Sequence, residues 1–246
     1  MPFRVKILGR IWLGYFLLTI AVVGFSFATV LFFPVRLLSR FLPGLEKWPD
    51  HILQMGIRLL LLLQPWLKAR VALDLPENEH GVLLVSNHRS HLDVFILLSR
   101  VPGIRIMARK NLFRIPFLSL MMKATRQIGV ERGSLEAWSQ AMETLRERLT
   151  KGERVHVFPE LTRCEPGFAG VRNFASGPFL AAIQKDSTVL PIVIKNTDAV
   201  WPKGQVGLHF RPSVEVISLA PIRARDFSSA DILRREVHSR IAEALA

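Results

Sequence analysis

The stretch Gly81-Val82-Leu83-Leu84-Val85-Ser86-Asn87-His88-Arg89-Ser90-His91-Leu92-Asp93 decides how this chain is read. Residues 81–86 are a short apolar run, the pattern of a strand covered on both faces. A polar turn follows at once, and residues 91–100 continue with apolar side chains at helical spacing. The same alternation recurs downstream. Strands are expected at 70–75, 104–108, 127–131, 154–158 and 189–194, and helices at 112–124, 134–150 and 231–245, while 206–210 and 214–218 are expected to pair. Ser134 stands where it can cap the 134–150 helix, and Gly152 where it can end it. The Trp138, Met142, Leu145 and Leu149 stripe on that helix reads as core. Together these segments predict an α/β fold for residues 71–246, a mixed, largely parallel sheet flanked by helices.

Residues 1–70 are of another kind. Positions 11–33 hold 23 residues without a charged side chain. As a helix they reach roughly 34 Å, enough to cross a hydrocarbon core of about 30 Å. The rival reading, a cleavable signal peptide, fits less well, because Ser26-Phe27-Ala28 is followed by more apolar residues. A second apolar stretch, 52–67, is shorter and carries Gln54, Arg58 and Gln64, which suits a helix lying at the bilayer surface. Basic residues flank the first segment on both sides (Arg4, Lys6 and Arg10; Arg36, Arg40 and Lys47), so both ends favour the cytoplasmic face. A membrane-associated helix hairpin over 1–70, with the remaining domain on the cytoplasmic face, satisfies that pattern.

Composition agrees. Among 246 residues, 33 Lys+Arg face 20 Asp+Glu, and half the residues are hydrophobic. Residues 1–70 hold nine Lys/Arg against two Asp/Glu, so the basic excess is densest around the apolar segments. That points to anionic lipid headgroups rather than nucleic acid, since no basic helix or aromatic–basic interleaving accompanies it. One cysteine, Cys164, excludes an intramolecular disulfide framework and a four-cysteine zinc site.

Three groups of residues carry possible chemistry. His88 and Asp93 lie five apart, too far round a continuous helix to meet. They meet only if His88 sits in the turn and Asp93 in the first helical turn, where a carboxylate bound to one ring nitrogen leaves the other free as a base. Such a base acting directly on a substrate hydroxyl needs no serine or cysteine nucleophile. His91 extends the string, but the other histidines are not at metal-ligand spacing, and no metal is expected. The second group is Phe158-Pro159-Glu160-Leu161-Thr162-Arg163, where Glu160, Thr162 and Arg163 offer a carboxylate, a hydroxyl and a guanidinium fork for oxygen anions. In the third, Arg132 lies near two glycines in Gly129-Val130-Glu131-Arg132-Gly133 and can reach a ligand or remain a solvated charge; Lys110 has the same two readings.

Taken together, these residues resemble the glycerolipid acyltransferases of the lysophosphatidate acyltransferase type, over about residues 80–195. His88-x4-Asp93 looks like the family's catalytic block and Gly129-Val130-Glu131-Arg132 is similar to its second. The segment 158–163 resembles Phe-Pro-Glu-Gly-Thr-Arg, and Val189-Leu190-Pro191-Ile192-Val193 resembles the apolar fourth block. The resemblance implies an O-acyltransferase of phospholipid biosynthesis. It would move a fatty acyl chain from acyl-CoA or acyl carrier protein, as co-substrate and with no cofactor, to the hydroxyl of 1-acyl-glycerol-3-phosphate. His88 and Asp93 would be catalytic, and Lys110, Arg132, Glu160, Thr162 and Arg163 would hold the acceptor phosphate. Leu161 stands where the family has glycine, and Ala175 where a lysine is common. These departures fall near the acceptor and keep two alternatives in view: another lysolipid or aminolipid acceptor, or a non-catalytic basic protein that binds membrane lipid.

Overall fold

The computed structural model describes residues 3–42, 44–76, 81–131, 133–210 and 213–246. Its elements run α1(Phe3–Phe27), α2(Phe33–Leu38), α3(Trp48–Leu62), β1(Ala69–Ala72), β2(Val82–Ser86), α4(Leu92–Arg100), β3(Ile104–Arg109), α5(Pro116–Ala124), β4(Ile128–Val130), α6(Leu135–Thr150), β5(Arg154–Val157), α7(Gly177–Gln184), β6(Thr188–Lys195), α8(Thr197–Val200), β7(Val214–Ser218), β8(Ile222–Arg223) and α9(Ala230–Leu245). The main strand order is β1-β7-β6-β2-β5-β3-β4, with β8 beside β6. β2 lies at the centre and pairs in parallel with both β5 and β6. The β3 pairs with β5 and β4 are also parallel, whereas β7 and β8 run antiparallel to β6.

All five residues of β2 are buried, as its unbroken apolar run requires. Successive side chains point to opposite faces and so serve two cores. Leu83 and Val85 pack with α6, α7 and α9; Val82 and Leu84 pack with α4 and the amino-terminal helices. The Ser134 hydroxyl accepts from the Ala137 N–H at 3.1 Å and caps α6, and Ser229 does the same for α9. Met142, Leu145 and Leu149 are buried in the first core, with Trp138 against it.

Two expectations change. Residues 206–210 form no strand, and β7 pairs instead with β6 and β1. The reason is a competing contact: the Leu208 N–H donates to the Gly9 carbonyl at 2.9 Å, which draws this segment onto α1. The expected 112–124 helix is also interrupted. A 3₁₀ turn over Lys110–Arg114 precedes α5, because Pro116 excludes Ile115 from helical geometry.

α1 and α3 form an antiparallel hairpin. Tyr15 Oη donates to the Leu63 carbonyl at 3.0 Å, the Gln64 amide donates to Thr19 Oγ1 at 3.0 Å, and Gly56 admits the Phe27 ring. A continuous helix over Ile7–Val35 is, among the described residues, the one long and apolar enough to cross a membrane. The polar residues of α3 have a packing role. Arg58 Nε and the Gln54 amide both donate to the Ser99 carbonyl at the end of α4, at 2.7 and 3.3 Å. Below that contact, Arg105 reaches both carboxylate oxygens of Asp50, at 2.7 and 2.8 Å. Burial works against the Arg105 charge, yet Asp50 and Glu153 outweigh it and hold its pKa above the ordinary value.

Candidate active site

The helix following β2 packs on one face of the sheet and the helix following β5 on the other. Where helices leave neighbouring parallel strands towards opposite faces, the carboxyl ends of those strands are the place where open α/β sheets bind ligands. The turn after β2 and the loop after β5 meet there.

His88 sits in the turn and Asp93 in the first turn of α4, as the five-residue spacing requires. His88 Nδ1 and Asp93 Oδ2 are 2.9 Å apart. The same oxygen accepts the N–H groups of Arg89 and Ser90, at 2.7 and 2.9 Å, so the fully buried carboxylate is held by the turn it organises. A carboxylate can only accept, so Nδ1 carries the hydrogen and Nε2 presents its lone pair. The His88 side chain keeps 16% of its surface exposed, and Nε2 takes no hydrogen bond from the described residues. The ring is stacked on Phe158, with centroids 3.8 Å apart and planes 19° from parallel. A lone pair aimed outward from a ring fixed on its face and at one edge is a competent general base.

His156 lies beneath Phe158, its ring edge-on at 4.4 Å, and shares a 2.9 Å hydrogen bond with Ser86 Oγ. Complete burial, with His88 nearby, lowers its pKa to about 3, so it is a neutral part of the floor. The unfolded chain takes up this proton near the ordinary value of about 6.5, whereas the folded protein refuses it down to about 3. Stability is therefore complete above about pH 6.5 and falls on acidification through that window. Thermal midpoints measured from pH 7.5 to 4.5 are expected to fall, and His156→Phe to flatten that slope; an identical slope in the variant would contradict the assignment.

The loop after β5 places its groups differently from one another. Glu160 is buried, and both carboxylate oxygens are occupied. Oε1 accepts the His88 N–H at 2.7 Å; Oε2 accepts the Arg172 N–H at 2.9 Å and the Cys164 thiol at 3.0 Å. Glu160 thus ties the turn after β2 to two points of its own loop after β5, and both its oxygens are engaged within the fold. Burial and the Glu160 carboxylate push the Cys164 thiol up to about 11, far from a nucleophile. Leu161 has φ +58°, a left-handed conformation that glycine adopts freely and that costs leucine about 1–2 kcal/mol. This explains the glycine of the resembling motif. Thr162 and Arg163 are half-buried beside it, and the Arg163 guanidinium makes no hydrogen bond among the described residues. Burial and the neighbouring Arg109 pull its pKa down, while Asp93 and Glu165 oppose that.

Lys110 turns away from this group and pairs with Glu131 at 2.8 Å on the exposed surface. Arg109, at the end of β3, lies close enough to act electrostatically on both Arg163 and His91. Sequence reasoning missed it, because two adjacent cations at a strand end read alike until the Lys110–Glu131 pair is seen. Arg132 lies outside the described residues. His91 remains open to solvent on one side, but desolvation by its packed neighbours, with Arg163 and His88 close by, lowers its pKa to about 4. Among the described residues no three His, Cys, Asp or Glu side chains gather as a metal ion would need.

With this geometry in hand, comparison with known proteins gives one decisive match: the family model described as Acyltransferase matches residues 69–195, more than half of the chain. The chain belongs to the acyltransferase family. Its matched region begins at β1 and ends with β6, so it contains both the turn after β2 and the loop after β5. A chloroplastic 1-acyl-sn-glycerol-3-phosphate acyltransferase of Arabidopsis thaliana is 31% identical over 172 residues, covering 70% of this chain and 47% of that protein. The 1-acyl-sn-glycerol-3-phosphate acyltransferase of Borreliella burgdorferi is 26% identical over 166 residues, 64% of each chain. The chain spans about half the length of the first of these relatives. Among solved structures, the 1-acyl-sn-glycerophosphate (LPA) acyltransferase PlsC of Thermotoga maritima shares the fold, with a TM-score of 0.71 at 21% identity, covering 98% of this chain and 94% of that one.

Proposed function

We propose that this acyltransferase-family chain moves a fatty acyl group from an acyl thioester, on coenzyme A or acyl carrier protein, to the free hydroxyl of 1-acyl-glycerol-3-phosphate, giving phosphatidate. The observation that carries the reading is the His88–Asp93 pair at 2.9 Å, near the Arg163 guanidinium, with neither Nε2 nor that guanidinium hydrogen-bonded among the described residues. His88 Nε2 takes the hydroxyl proton as the oxygen attacks the thioester carbonyl. The carbon–sulfur bond then breaks, the ester forms, and the leaving thiolate recovers the proton from the imidazolium. Asp93 orients the ring and stabilises its charged form in between. Arg163 and Arg109, together with Arg132, supply the positive field for the acceptor phosphate; the named activity of the relatives agrees with a phosphate-bearing acceptor.

The exposed apolar face of α1, which includes Ile11, Leu18, Val22 and Phe25, seats the protein on the membrane, where the lysolipid resides. Basic residues flanking the first apolar segment favour the cytoplasmic leaflet. The test is product identification by mass spectrometry, using purified protein in vesicles with mixed acyl thioesters and a panel of lysolipids. Phosphatidate is expected as the main product, with Arg163→Ala raising KM for phosphate-bearing acceptors alone. Acylation of only phosphate-free lysolipids or aminolipids would reassign the acceptor, and binding without any ester product would overturn the enzymatic reading.

A further inference from the structure

Phe16, midway along α1, is fully buried although the helix is otherwise largely exposed. Its ring meets three others edge-on: Trp66 at 5.5 Å, Phe95 at 5.6 Å and Trp201 at 5.8 Å. Phe95 lies on α4, two residues after Asp93. Trp201 closes α8, with its ring 5.1 Å from that of His91. The Trp201 carbonyl accepts from Ser90 Oγ at 2.9 Å, and the Ser90 N–H is one of the donors that fix Asp93 Oδ2. A second contact lies two helical turns earlier. Leu208 N–H donates to the Gly9 carbonyl at 2.9 Å, and a Cβ at Gly9 would come within 2.9 Å of the Leu208 oxygen. The His209 N–H in turn bonds the Val200 carbonyl at 2.9 Å, closing the segment back onto α8.

We propose that α1 is a positioning element for the His88–Asp93 pair, acting through Phe16 and Trp201. The inference rests on the role given to that pair above. Asp93 owes its orientation to the turn, the turn is tied to the Trp201 backbone through Ser90, and the Trp201 ring is held by Phe16. Among the described residues, the titratable and charged groups seen near the pair are Arg89, His91, His156, Glu160, Arg109 and Arg163, none of them on α1, so the helix acts by packing and not by charge. The helix with the large exposed apolar face thus also braces the reactive turn. Emptying the Phe16 site lets Trp201 settle into the void and draws Ser90 with it, and a shift of about 1 Å at a reacting group costs up to about a hundredfold in rate.

The experiment uses the full chain in vesicles of mixed zwitterionic and anionic lipid, comparing the wild type with Phe16→Ala and Phe16→Leu. Steady-state kinetics give kcat and acceptor KM, and sedimentation gives vesicle binding. Proton NMR in micelles follows the His88 Nδ1–H, whose signal reports the bond to Asp93. For Phe16→Ala, kcat is expected to fall about tenfold or more, with acceptor KM and vesicle binding unchanged and the Nδ1–H signal moved upfield or broadened by exchange. Phe16→Leu, which refills most of the volume, is expected to restore both. Unchanged kcat, or a loss confined to KM or vesicle binding, would overturn the proposal. If Phe16→Ala does not fold, Gly9→Val displaces the 207–208 segment without emptying the core, and the same outcomes apply. Should the wild type transfer no acyl group, the functional reading fails; an unmoved Nδ1–H signal in the variant refutes the bracing by itself.

Discussion

His88→Ala is expected to lower acyl transfer by about 10²–10⁴-fold, the usual worth of a positioned general base. Vesicle binding and acceptor KM should stay close to those of the wild type. The confinement follows from the geometry. The imidazole is bound at one nitrogen to Asp93, stacked on Phe158 and open at the other nitrogen, so its removal takes the proton acceptor and little else. The backbone N–H of residue 88 still bonds Glu160, and the Asp93 carboxylate still holds the Arg89 and Ser90 amides, so the turn keeps its shape. Arg163 and Arg109, the cations proposed to attract the acceptor, remain. The residual rate is what binding and orientation supply when water must take the hydroxyl proton. Initial rates of thiol release in vesicles, with circular dichroism as a check on the fold, measure the effect. Turnover within a few-fold of wild type would remove His88 from the reaction and take the proposed chemistry with it.

The strand-to-helix corner was legible in the sequence because it is local. An apolar run, a polar turn and a helical apolar stripe specify β2 and α4 through side-chain alternation and periodicity alone, and the five-residue spacing then brings His88 to Asp93. The Ser134 cap and the core stripe of α6 are local in the same sense. What the sequence concealed depends on contacts between distant segments. Residues 206–210 carry the composition of a strand, but Gly9 of α1 takes their hydrogen-bonding group first. α7 escaped notice because Gly177 and Pro178 look like loop residues, and its short, nearly all-apolar sequence has no polar face to reveal a helical period. Arg109 and Lys110 are both cations at one strand end, and only the Glu131 partner shows which of them faces away. Glu160 is the sharpest case. A carboxylate in a loop beside an arginine reads as a ligand, yet its partners are a backbone amide of the turn after β2 and a backbone amide and a thiol of its own loop.

That difference gives Glu160→Gln two incompatible outcomes. As a latch, the carboxylate accepts three hydrogen bonds: His88 N–H on one oxygen, Arg172 N–H and the Cys164 thiol on the other. A glutamine amide can keep one side of this arrangement. Its NH₂ group then faces donors on the other, leaving at least one buried donor unsatisfied in a place that excludes water. Losing charge-assisted bonds of this kind costs roughly 2–3 kcal/mol, which lowers the thermal midpoint of a chain this size by about 5–10 °C. The transfer rate should fall as well, since the loosened bond is the one that seats the His88 backbone, while acceptor KM moves little. As an acceptor ligand, the carboxylate would be dispensable to the fold, and Glu160→Gln would leave the midpoint unchanged and raise KM. Thermal unfolding and steady-state kinetics on the same preparation separate the two. A stable variant with a purely KM defect would place Glu160 in the acceptor site and leave the joining of the turn and the loop to the backbone alone.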